Sequence, residues 1–132
     1  MFNPNHLHLI VRGYVTNPPK SEETLNNWLT RLVHKVDMQV VAGPTSVYVN
    51  EEGNEGVTGT VTLATSHASL HCWDMVTPPM IQFDIYSCKE FVVADVIKHL
   101  DEFNLLSYTA MMIDRNGDDF KIILNENVVM NR

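Results

Sequence analysis

Gly56-Val57-Thr58-Gly59-Thr60-Val61-Thr62-Leu63-Ala64-Thr65-Ser66-His67-Ala68-Ser69-Leu70-His71-Cys72-Trp73 decides how the chain is read. From Val57 to Trp73 it reads as one long strand, or as two joined by a kink. On a regular strand neighbouring side chains alternate between faces, so Ser66 and His71 have opposite parity.

Working outward, Met80 to Tyr86 reads as a further strand with Ile81, Phe83 and Ile85 on one parity. A helix follows from about Lys89 to Phe103, with Val93, Val96, Ile97 and Leu100 inward. Leu106 to Ile113 and Phe120 to Leu124 flank Asn116-Gly117, a hairpin turn signal. Upstream, Asn50 to Gly56 is a polar loop, and Met38 to Val41 and Thr45 to Val49 are strand pieces around Gly43-Pro44. Ser21 suits the N-cap of a helix whose apolar face carries Leu25, Trp28, Leu29, Leu32, Val33 and Val36. His6 to Val15 reads as the first strand, stopped by Asn17-Pro18-Pro19. Six or seven strands and two helices imply an α+β two-layer sandwich: a mostly antiparallel sheet with both helices on one face. The bare face then calls for a second copy, giving a homodimer packed sheet on sheet.

The 132 residues are expected to form one domain over 1–132, with no repeat or linker. Met1 to Val15 lacks a basic n-region and is interrupted by His6, His8 and Arg12, unlike a signal peptide. No apolar run is long enough to span a bilayer. A net charge of −7 disfavours nucleic-acid binding and suits a cationic small molecule. Two cysteines, Cys72 and Cys88, make a disulfide framework improbable and fit a reduced, cytoplasmic setting.

The quoted segment closely resembles the processing site of bacterial S-adenosylmethionine decarboxylases. Their pattern is G-V-[ST]-G, an apolar run, then E-S-H-x-x-x-H-[T]-[WY], followed by a strand ending in Asp, a few apolar residues and Cys. Gly56-Val57-Thr58-Gly59, Ser66-His67, His71, Trp73 and Phe83-Asp84-Ile85-Tyr86-Ser87-Cys88 match it. The resemblance implies self-cleavage between Thr65 and Ser66, leaving a pyruvoyl cofactor made from Ser66. It implies that His71 takes the serine Cα proton and that Cys88 returns a proton to the substrate. The pyruvoyl carbonyl would form a Schiff base with a substrate amine and act as electron sink. Cys88 is also expected just before the second helix, where the dipole would lower its pKa. For Ser66 and His71 to converge, the chain must bend between them, and strain at Thr65-Ser66 would favour acyl migration.

The chain departs from the pattern at several positions, mostly ones the family uses to hold its nucleoside. Thr65 stands for Glu, Glu52 for an aromatic, Asp74-Met75 for Pro-Glu, and Lys89 for Gly. Substrate contacts are assigned to Glu52, His67, Trp73 and Asp74. The resemblance implies S-adenosylmethionine as the substrate, feeding spermidine synthesis. The alternative is a cationic amino acid such as arginine or ornithine, drawn by Glu51, Glu52 and Glu55. A third reading is a non-cleaving relative acting as a ligand-binding or regulatory subunit. His67 and His71, with Cys72 and Asp74 nearby, suggest metal only weakly, and no metal site is expected. His6 and His8 share a strand face and would line the site. Asp84, in an apolar strand, needs a polar partner.

Overall fold

The computed structural model describes residues 5–132. Residues 1–4, the start of the segment read as unlike a signal peptide, lie outside them. The elements run β1 (Leu7–Val15), α1 (Glu22–Lys35), β2 (Val40–Val49), β3 (Gly56–Leu63), β4 (Ser66–Trp73), β5 (Met80–Ser87), α2 (Val93–Leu100), a 3-10 turn (Asp101–Phe103), β6 (Leu105–Asp114) and β7 (Lys121–Val129). The strands make one antiparallel sheet in the order β2-β3-β4-β5-β1-β6-β7.

Local chemistry explains α1. The Ser21 side chain accepts from the Thr24 N–H at 3.1 Å, and Glu22 and Glu23 occupy the positive first turn. At the far end Asp37 turns left-handed (φ 57°), and the Met38 N–H closes back on the Val33 carbonyl. The buried stripe of Leu25, Trp28, Leu29, Leu32 and Val33 lies on the sheet. Gly59 lets it approach, because a Cβ there would strike Leu25 and Ser46. Trp28 packs against Phe83, His99 and Phe103. Its indole N–H donates to the His99 carbonyl (3.1 Å), and its own carbonyl faces His99 Nε2 (2.9 Å). Both helices therefore share one face and one core.

The second helix begins later than its sequence pattern implies. The Ser87 hydroxyl bonds both the carbonyl and the N–H of Lys89, at 2.5 and 3.0 Å, which ties 88–89 into a turn. The stretch from Val57 to Trp73, read as one long strand or two joined by a kink, is a hairpin with a two-residue turn, Ala64-Thr65. The two pieces around Gly43-Pro44 are one strand, β2, whose register slips between Val40 and Thr45. The opposite face of the sheet carries His8, Ile10 and Arg12, His67, Ser69 and His71, and Gln82, Asp84 and Tyr86. Among the described residues no helix covers it.

Candidate functional site

Hairpin closure sets Ser66 opposite Leu63, and pairing of His67 with Tyr86 carries Ser66 beside the end of β5. There Ser66, only 7% exposed, faces the helix side. Its Oγ accepts the Cys88 N–H at 3.0 Å, which leaves its own proton free to donate. The preceding Thr65 has φ 54°, a left-handed conformation unusual for a β-branched residue. Its hydroxyl lies 2.8 Å from Cys88 Sγ and 2.7 Å from the Ala64 carbonyl, and its single proton serves one of them at a time. Hydrogen bonds from Thr65 and then Ser66, helped by the Lys89 charge, hold the Cys88 thiol below its ordinary range despite some burial. The helix dipole is not the cause: α2 starts only at Val93.

These groups open on a cavity of about 830 Å³ whose lining includes His34, Asp37, Met38, Ser66, Cys88 and Lys89. Lys89 reaches across it, its Nζ donating to the Asp37 carbonyl at 2.6 Å, with the Asp37 carboxylate at 3.8 Å. No Phe, Tyr or Trp among the described residues lines the cavity.

None of the four residues assigned to substrate, Glu52, His67, Trp73 and Asp74, borders this cavity. Trp73 ends the eight-residue strand that Ser66 begins, about 24 Å away at about 3.4 Å per residue. Its indole N–H donates to Asn54 at 3.1 Å. Asp74 accepts from the Tyr48 hydroxyl at 2.9 and 3.1 Å, which pushes the Tyr48 pKa up. Glu52 is exposed in the turn before β3, beside Glu51. The Glu55 carboxylate accepts the Gly53 N–H at 3.0 Å. The acidic trio therefore does not border the Ser66 cavity. Tyr48 was missed: its partner Asp74 is 26 residues away, a separation no local pattern reports.

His71 and His67 are on the bare face. β4 pairs with β3 and β5 without a register shift, so the expected bend between Ser66 and His71 is absent. His71 Nδ1 instead sits 3.1 Å from the Thr58 hydroxyl. His67 joins a cluster centred on Asp84, whose Oδ2 lies 2.8 Å from His8 Nε2 and 3.5 Å from His67 Nε2. The Ser69 hydroxyl donates to the other Asp84 oxygen. Burial pushes the Asp84 carboxyl up, but the bonds from Ser69 and His8 and the nearby imidazoles outweigh it and hold it low. His6 Nδ1 meets the Tyr86 hydroxyl at 2.8 Å, and Arg115 lies over the Tyr86 ring at 4.4 Å. Cys72 is buried, its thiol pushed up to about 12 by desolvation, and is chemically quiet.

Among the described residues no helix is long and apolar enough to cross a membrane. No curated protein matches the chain. The family model for S-adenosylmethionine decarboxylase matches residues 7–116, which span β1 through β6 and hold Ser66, His71 and Cys88. The chain belongs to the S-adenosylmethionine decarboxylase family.

Proposed function

We propose that the chain is a pyruvoyl-dependent decarboxylase of S-adenosylmethionine, in polyamine synthesis, that cleaves itself between Thr65 and Ser66. The observation that carries this reading is the Thr65-Ser66 bond, at the junction of turn and strand, held against Cys88 beside one cavity. The left-handed Thr65 stores strain of about 1–3 kcal/mol beside the bond to be broken. Ser66 Oγ attacks the Thr65 carbonyl carbon, and the Thr65 acyl group moves from nitrogen to oxygen. Loss of the Ser66 Cα proton expels the Thr65 carboxylate, and hydrolysis with release of ammonia leaves the pyruvoyl group. That group, once formed, supplies the electron sink for decarboxylation. The pocket beside it suits a small substrate, and the lowered thiol pKa of Cys88 next to Ser66 supports reading it as the group that returns a proton.

His71 keeps its proposed role as base only if the start of β4 turns over. The ester makes this feasible, because the Thr65-Ser66 amide is then already broken. Trp73, Asp74, Glu52 and His67 serve a substrate at Ser66 only if a second copy brings them to it. The bare sheet face offers the surface for such a homodimer, and the two free cysteines fit a reducing cytoplasm.

The facing-away of His71 favours one other reading, a non-cleaving relative that binds ligand or regulates an active partner. Intact mass of freshly purified protein, beside Ser66→Ala, separates the two. We expect two fragments split at Thr65-Ser66, the second bearing a pyruvoyl mass, and none in the variant. A single stable, uncleaved species would favour the regulatory reading. Assays with S-adenosylmethionine, arginine and ornithine then fix the substrate.

A further inference from the structure

We propose that His8, His67 and Asp84 form a divalent metal site on the bare sheet face, suited to zinc. Three adjacent strands each supply one ligand: β4 gives His67, β5 gives Asp84 and β1 gives His8. Both histidines pair across the ladder with Tyr86, two residues along from Asp84, so their rings converge on its carboxylate from either side. One nitrogen or oxygen from each residue lies within 4.8 Å of the others. Two atoms bound to one tetrahedral zinc at about 2.0–2.1 Å stand about 3.3 Å apart. The observed nitrogen-to-oxygen separations, 2.8 and 3.5 Å, bracket that value.

The surroundings are those of a supported ligand set. Ser69 donates to the Asp84 oxygen that His8 and His67 leave free, fixing the carboxylate. The Tyr86 ring lies edge-on or tilted against both imidazoles, at 5.9 and 6.0 Å. The His67 side chain is half exposed, so the fourth position opens to solvent or to a second copy. Two histidines, one carboxylate and an open position are a ligand set that zinc takes in catalytic sites.

Arg115 sets the terms of binding. Its Nη1 lies 3.5 Å from His8 Nδ1, and arginine only donates. Without metal, therefore, Nδ1 is the acceptor and the Nε2 proton points at Asp84. Zinc takes the place of that proton, which shifts to Nδ1, and Arg115 withdraws over Tyr86 and Phe120, whose rings it already covers at 4.4 and 5.6 Å.

The test uses the metal-free full chain, titrated with zinc by calorimetry and with cobalt(II) by visible absorption, so it needs no decarboxylase activity. We expect one equivalent per chain and cobalt bands of tetrahedral type without thiolate charge transfer. His67→Gln, at a half-exposed position that tolerates change, should weaken binding by about tenfold or more, as should Asp84→Asn. Arg115→Gln should tighten it. No saturable zinc uptake, or uptake unchanged in His67→Gln and Asp84→Asn, would overturn the site. So would a cobalt–thiolate band lost in Cys88→Ser.

Discussion

Ser66 and His67 are neighbours in sequence, yet they belong to different places. Ser66 faces the helices and meets Cys88 in a cavity at one end of the sheet. His67 faces the other way, into a histidine–carboxylate cluster in mid-sheet. The first region is built from a tight turn and the end of a strand two positions on in the chain. The second is built from three strands, and its ligands His8 and Asp84 are 76 residues apart. Strand alternation makes this division, and it carries a lesson for motif reading. A run of matching letters on a strand is two interleaved half-motifs, one for each face.

The sharpest way to break the comparison is Ser66→Ala, which should abolish self-cleavage outright while leaving cobalt binding at the other face intact. Absorption spectroscopy and intact mass on one sample read both. Next, Cys88→Ala should lower turnover of processed enzyme by about a hundredfold or more, the usual weight of a positioned proton donor. A variant with full turnover would move that role elsewhere. For His71→Gln, the opposite-face geometry implies that the first acyl shift survives, with processing slowed by less than about tenfold, well below the hundredfold of a directly engaged base. A complete block, followed by mass spectrometry over days, would mean that β4 turns over or that a second copy supplies the group.

A smaller effect is expected at Thr65→Gly. Glycine adopts φ 54° without the β-branched penalty, so the uncleaved chain should gain about 1 kcal/mol in a denaturant titration. The same change removes the hydroxyl beside Cys88, so thiol alkylation at neutral pH should slow as its pKa rises. The smallest effect concerns pH. Burial holds the His99 imidazole below its ordinary range, against the pull of Glu102 at 3.1 Å. The unfolded chain takes up a proton near pH 6.5, about the ordinary value, that the folded chain resists. Stability is thus full above that pH and declines as pH falls below it. Melting curves between about pH 7.5 and about pH 5.5 should show the decline, and His99→Gln should flatten it.

Much of the fold was legible because it is local. Ser21, the stripe from Leu25 to Val33, and the alternation of Ile81, Phe83 and Ile85 each announce an element within a few residues. The late start of α2 was not legible, because the Ser87 hydroxyl diverts Lys89 by a hydrogen bond that periodicity does not encode. The cause of the low Cys88 pKa was misplaced for the same reason. The helix dipole was expected there, and a hydroxyl 23 residues upstream supplies the effect. Asp84 was expected to need a partner, and it has three.

The sequence by itself determined most of the elements, the α+β class and the family, since short-range periodicity and motif spacing are properties of contiguous residues. It also determined that Ser66 and His71 differ in parity. Only the tertiary structure decided what stands beside each. Strand order places β1 between β5 and β6, which brings His8 to Asp84 and leaves Trp73 and Asp74 a strand's length from Ser66. Long-range pairing fixes those neighbours, and its register depends on burying one face of every strand at once.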